Sequence, residues 1–249
     1  MSGHSKWATI KRKKAANDAR RSNQFAKLLR AVEVAAKEGG GDAAANMTLA
    51  SAVEKAKASS VPNENIERAV KRGSGEDAAA TRYEEITYEG YAPGGIALFV
   101  EALTDNRNRT AQDVRHAFTR NGGNLGETGS TAWMFTRKGV IVVEKAAAPD
   151  EERLLELALE SGAEDMRDAE SSWEIVTEPA ALATVRDAIR GAGTELFSAE
   201  LTMLPQSTIP VDGTEAKKVL QLIEGLEDLE DVQSVYANFD IPEEVMASL

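Results

Sequence analysis

The sequence predicts an α+β protein: an N-terminal three-helix bundle with a basic tail, followed by two α+β domains, one ferredoxin-like and inserted in the other. Three observations predict it. Apolar residues recur at helical spacing in three short runs before Ser74, a β-α-β-β-α-β order follows from Val140, and the segments on either side of that order are each too short to close a sheet alone. The chain has 249 residues, 42% hydrophobic and 28% charged, which suits two or three globular domains. Aromatic residues are only 5%. The cores must therefore be built of Ala, Val, Leu and Ile, which favours thin helical and α+β layers over an aromatic-lined ligand cavity.

Phe25, Leu28, Leu29, Val32, Ala35 and Ala36 keep helical spacing and Gly39 to Gly41 end it, so a helix is predicted over about 18–38. A second, about 47–59, carries Leu49, Val53 and Ala56 inward and is followed by Pro62. A third, about 63–72, has Asn63 as N-cap, Ile66 and Val70 inward and Gly73 just past its end. Such narrow stripes are buried only against one another. Gly73 to Ala80 reads as a linker.

Ile86–Tyr91 and Ile96–Leu103 read as strands around a Pro93-Gly94-Gly95 turn, and a helix over about 106–121 turns Val114, Ala117 and Phe118 inward. Ala132–Phe135 and Val140–Glu144 read as strands around a turn at Lys138-Gly139. A helix near 149–161, strands near 164–168 and 172–177, a helix near 180–191 and a strand near 196–204 complete the ferredoxin-like order. A strand near 207–211, a helix near 214–226 and a strand near 232–239 are left over. The domains are therefore read as 1–78, basic tail plus bundle; 82–135 with 206–249, a discontinuous α+β middle domain; and 136–205, the inserted domain. The alternative is a separate element from 207 onward.

Charge divides the chain in two. Residues 1–72 hold 15 Lys+Arg against 7 Asp+Glu, whereas the remainder holds 14 against 34. Ten of the cations lie between Lys6 and Lys37, against Asp18 and Glu33 alone. The functional reading is a phosphate-binding arm on an acidic body, its contacts carried by Lys11, Arg12, Lys13, Lys14, Arg20, Arg21, Lys27 and Arg30. The alternative is a solvated helix face, or an arm neutralised by the acidic segments of the same chain. Both stay open, although the self-repulsion of Lys11 to Lys14 has little structural justification.

Enzyme signatures are absent. With no cysteine and two histidines, His4 and His116, neither HExxH nor a Cys-based zinc site can be built, and no metal or cofactor is expected. His116 reads as an exposed helical residue rather than a general base. The glycines from Gly122 to Gly129 match neither GxGxxG nor a P-loop, and read as a helix C-cap and a turn into a strand. Glu227, Asp228, Glu230 and Asp231 lack a calcium-loop pattern and read as a solvated acidic face. The 106–121 helix goes against the acidic trend with Arg107, Arg109, Arg115 and Arg120 against Asp113. That is either a second anion contact or ion pairing with acidic neighbours. The longest uncharged apolar-leaning run, Tyr91–Val100, is interrupted by Pro93, Gly94 and Gly95, so no membrane span is expected, and the polar start predicts no secretory leader.

Several stretches together resemble the YebC family: GHSKWATIKRKKAANDARR from Gly3 to Arg21, Lys37 to Gly41, Val61 to Ala69, Tyr88 to Gly95, and Thr104 to Thr110 through Gly122 to Gly126. The resemblance covers essentially the whole chain. It implies a cytoplasmic, non-enzymatic, three-domain protein of a kind described as a probable transcriptional regulator that binds DNA. It also implies a kinship with ribosome-associated factors, a mitochondrial translational activator among them, that aid translation of proline-rich stretches and would contact ribosomal RNA. The family's opening motif falls on Gly3, His4, Ser5, Lys6 and Trp7, its basic continuation on Lys11 to Lys14 with Arg20 and Arg21, and its central motif on Asp105 to Thr110. The second helix departs from the family pattern, because Met47 to Ser51 carries no arginine.

Overall fold

Helical periodicity in the first third of the chain becomes three packed helices in the computed structural model, which describes residues 18–75, 83–148, 150–211 and 213–241, with side chains from Asn23 onward. Helices α1 (Asp18–Gly39), α2 (Met47–Ala58) and α3 (Asn63–Gly73) bury Val32, Ala35, Ala36, Leu49, Ala56, Val61, Ile66 and Ala69 among themselves. Asn46 caps α2 by accepting from the Leu49 amide at 3.0 Å, and its Nδ2 donates to the carbonyls of Ala35 and Gly40, closing the triple-glycine loop. The α3 cap differs from expectation. Asn63 is the first helical residue and Pro62 occupies the cap, its carbonyl accepting from Asn65 and Ile66, because the proline ring already holds the φ that the helix entry requires.

Helices α1 and α3 are in close backbone contact at Gly73, where an added Cβ would lie 2.1 Å from the Glu33 carbonyl oxygen and 2.8 Å from the Ala36 Cβ. Beside this contact the buried Glu33 carboxylate accepts from Arg72 at 2.9 Å. Gly73→Ala is therefore expected to destabilise the bundle by about 1–3 kcal/mol, because backbone rather than a flexible side chain must yield. A wild-type thermal melt in the variant would contradict the contact.

Strands β1 (Glu84–Tyr91) and β2 (Ala97–Thr104) form an antiparallel hairpin whose register runs from Glu84 opposite Thr104 to Tyr91 opposite Ala97. The turn between them, Pro93–Gly95, has Gly94 and Gly95 at φ +79° and +74°, a region that glycine enters at little cost. Helix α4 (Arg107–Arg120) starts from an Asn106 cap, buries Thr110, Val114, Ala117 and Phe118, and ends at Asn121 with Gly122 in the left-handed region. The glycine run that follows leads into β3 (Asn124–Leu125), which pairs with β1, so the C-cap-and-turn reading of this segment holds.

Strand β4 (Phe135–Glu144) is continuous, and residues 132–134 form a single 3-10 turn before it, where two strands and a turn at Lys138-Gly139 were expected. The glycine has another use. A Cβ on Gly139 would lie 2.3 Å from Thr177 Oγ1 and 2.8 Å from the Leu182 Cβ, so its absence admits the start of a helix against the strand. Then come α5 (Glu151–Glu160), β5 (Ala163–Ala169), β6 (Ser172–Thr177), α6 (Leu182–Gly191) and β7 (Ser198–Pro205), in a sheet ordered β5-β6-β4-β7. With β4 as first strand this is the antiparallel ferredoxin-like order, its two helices covering Ile141, Val143, Trp173 and Ile175. The fold is α+β throughout.

After β8 (Ile209–Pro210) come α7 (Gly213–Glu227), β9 (Val232–Ala237) and β10 (Phe239–Asp240), which pairs with β8. Strand β9 takes the place beside β2, giving a sheet ordered β3-β1-β2-β9. Of the described residues, 18–75, 83–130 and 213–235 form one compact unit, and 131–148, 150–211 and 236–241 form the other. No helix among the described residues is long and apolar enough to cross a membrane.

Candidate nucleic-acid interface

The unit that contains the bundle also contains every described residue of the expected interface. His4, Ser5, Lys6, Trp7, Lys11, Arg12, Lys13 and Lys14 lie outside the described residues, as does the linker from residue 76 on. Arg20 and Arg21 lie on the first turn of α1.

Further along α1, Asn23, Lys27 and Arg30 share one face at i, i+4 and i+7. All three are engaged within the chain. Asn23 Nδ2 donates to the Asp228 carbonyl at 2.9 Å and Lys27 Nζ to the Glu227 carbonyl, at the C-terminal end of α7, where carbonyls lack helical partners and the dipole favours a cation. Arg30 Nη1 donates to Asp231 Oδ1 at 2.9 Å and to the Leu103 carbonyl at 3.0 Å, and its Nη2 donates to Glu230 at 2.9 Å. The guanidinium also lies 5.0 Å from the Tyr83 ring centroid. Lys27 is thus held by a backbone carbonyl and Arg30 by two carboxylates of the same chain, the within-chain alternative that the sequence left open.

Asp231 is the centre of this network and corrects the expectation of a solvated acidic face, because only 4% of it is exposed. Besides Arg30 it accepts from Arg109 Nη2 at 2.8 and 3.1 Å and from Thr110 Oγ1 at 2.7 Å, with Thr104 Oγ1 at 3.2 Å. Burial pushes its carboxyl up, but the hydrogen bonds from Arg109 and Thr110 and the charges of Arg109 and Arg30 outweigh burial and hold it below the ordinary carboxylate value. Reciprocally, Asp231 and then Asp105 hold the Arg109 guanidinium above its ordinary value. One carboxylate thus joins α1, α4 and the turn before β9.

The four arginines of α4 separate by direction. Arg109 is tied to Asp105 and Asp231, and Arg107 stands 3.8 Å from Glu84. Arg120 lines a cleft of about 480 Å³ with Asp113 and His116 from α4 and Gln221, Glu224 and Asp228 from α7. On the face shared by Arg109, Asp113, His116 and Arg120, Arg109 is ion-paired within its own chain, whereas Arg120 shares the cleft with Glu224 and Asp228 without an ion pair among the described residues. His116 is exposed, as its position off the apolar set implied. Arg115 points away from that cleft with Asn108, Gln112 and Thr119, all exposed at i, i+4, i+7 and i+11. This last face was not legible as a group in the sequence, because attention to charge selects the arginines and passes over Asn108 and Gln112.

No group of three or more His, Asp or Glu among the described residues is placed to hold a metal ion. Two family models match the chain: the TACO1/YebC N-terminal domain over residues 5–76 and the TACO1/YebC second and third domain over residues 83–239. The chain belongs to the TACO1/YebC family. Among its relatives, a probable transcriptional regulatory protein of Rubrobacter xylanophilus is 55% identical over 249 residues, covering 100% of this chain and 99% of the relative. One of Pelotomaculum thermopropionicum, with the same description, is 54% identical over 97% of this chain and 99% of its own length. The crystal structure of a conserved hypothetical protein from Aquifex aeolicus superposes with a TM-score of 0.80 at 46% identity, covering 92% of this chain and 94% of that one. The family assignment spans both compact units, so the Asp231 network and the α4 face belong to a TACO1/YebC scaffold rather than to an isolated motif.

Proposed function

We propose that this TACO1/YebC chain is a non-enzymatic, nucleic-acid-binding regulator of gene expression, and in particular a DNA-binding transcriptional regulator. The observation that carries the reading is the block of seven Lys+Arg against one Asp within residues 1–21, on a chain of net charge -12. An acidic body repels a polyanion over most of its surface, so such a block localises and orients binding. The names of the relatives, probable transcriptional regulatory proteins, support the regulatory part. The second reading is a ribosome-associated translation factor. The acid-rich remainder favours it, since a protein lodged among ribosomal RNA needs only a narrow basic strip, with Trp7 available to stack on an unpaired base.

Co-sedimentation of the purified chain with ribosomes at physiological salt, with and without excess duplex DNA, separates the two. The transcriptional reading expects duplex DNA to strip the chain from the pellet and to bind it tightly. Pelleting that survives the competitor overturns it in favour of the translation factor.

A further inference from the structure

Helix α4 differs from α5 in what it exposes to solvent. Helix α5 shows solvent Glu151, Glu152, Glu156 and Glu160, the pattern of a solvated face. The outward face of α4 carries Asn108, Gln112, Arg115 and Thr119 with no carboxylate, its single acid, Asp113, being turned into the cleft beside α7. Among the described residues no hydrogen bond or ion pair engages the side chains of Asn108, Gln112 or Arg115. The helix beneath them is held firmly. Val114 and Phe118 are fully buried, Asn106 caps the first turn, and Arg109 and Thr110 are fastened to Asp231. A rigid helix that presents amide and guanidinium groups loses little conformational entropy when they are engaged.

Resting on the nucleic-acid reading above, we propose that α4 is a base-reading helix whose Asn108, Gln112 and Arg115 enter the major groove of duplex DNA and discriminate sequence. Asn and Gln amides pair bidentately with adenine N6 and N7, and an Arg guanidinium pairs with guanine O6 and N7. Seven residues of helix rise about 10 Å, the span of about three base pairs at about 3.4 Å each. The occupant is duplex DNA rather than duplex RNA because the B-form major groove admits a helix, whereas the A-form groove is too narrow for side chains to read.

Selection from a library of random duplex DNA with the full chain tests this, followed by titration of the selected duplex and of its RNA counterpart. The wild type is expected to enrich a motif of about three base pairs containing adenine and guanine. Asn108→Ala and Gln112→Ala should each relax one position by about tenfold, and Arg115→Ala should relax the guanine, all three with unchanged thermal melts. The salt slope should stay within about one unit of wild type, since the substituted groups face bases rather than phosphates. DNA binding without an enriched motif, or a motif that survives the triple substitution, overturns the inference and leaves the functional reading standing. Equal selection of the RNA duplex also overturns it. A chain that binds neither duplex overturns the functional reading and the inference together.

Discussion

Removing residues 1–21 is expected to abolish the proposed salt-dependent nucleic-acid binding and to leave the fold intact. The segment holds seven Lys+Arg and one Asp, so its loss leaves 22 Lys+Arg against 40 Asp+Glu. About six phosphate contacts correspond to a slope of log affinity on log salt near -5, which is a thousandfold loss on the order of that between 50 and 200 mM. Without the segment the remaining chain repels a polyanion, and the slope should collapse toward zero. The fold is expected to survive because, of the described residues, the cut removes only the first turn of α1, while Asn23, Lys27 and Arg30, which fasten that helix to the end of α7, all remain. Fluorescence anisotropy with a labelled duplex at several salt concentrations, beside a circular-dichroism melt, measures both parts. Affinity and slope retained after truncation would refute the arm.

Asp231→Ala produces the largest expected loss of stability. It leaves the Arg30 guanidinium, only 10% exposed, without its buried counter-ion, and removes the acceptor shared by Arg109 and Thr110. Breaking a buried pair from one side costs about 3 kcal/mol, which in a chain of this size lowers the melting temperature by about 6–12 °C. Glu230→Ala is the internal control. Glu230 pairs with the same arginine at the same 2.9 Å but is 68% exposed, and its removal should cost less than about 1 kcal/mol. The same network sets an acid limit. A carboxyl depressed in the folded state contributes stability that is complete above its unfolded value, near pH 3.9, and is lost as pH falls below that through the folded value. Wild-type melting temperature should therefore fall below about pH 4 more steeply than that of Asp231→Asn, which has no carboxylate to protonate. Parallel pH profiles would contradict the network's role.

The two substitutions show where reading the sequence succeeds and where it stops. Helix and strand placement was legible almost throughout, because apolar spacing at 3.6 or 2 residues is imposed locally by the need to bury one face. One error lies where a distant element decides, another at the start of a single helix. Gly139 looks like a turn until α6 is placed against it, and the cap of α3 depends on whether Pro62 or Asn63 takes the non-helical dihedrals. Asp231 is indistinguishable in the sequence from Glu227, Asp228 and Glu230, yet it alone of the four is buried, between helices more than a hundred residues away.

By itself the sequence determined the α+β class, the ferredoxin-like order, the family and the concentration of cationic charge at one end, since each depends on composition and on spacing within a single element. Only the tertiary structure decided which charges are available to a partner. Lys27, Arg30 and Arg109 are cations by composition, but hydrogen bonds to the end of α7 and to Asp231 consume them, while Arg115 is left on an open face beside Asn108 and Gln112. A charge's partner is fixed by distances of about 3 Å between elements far apart in the chain, and local spacing carries no information about those distances.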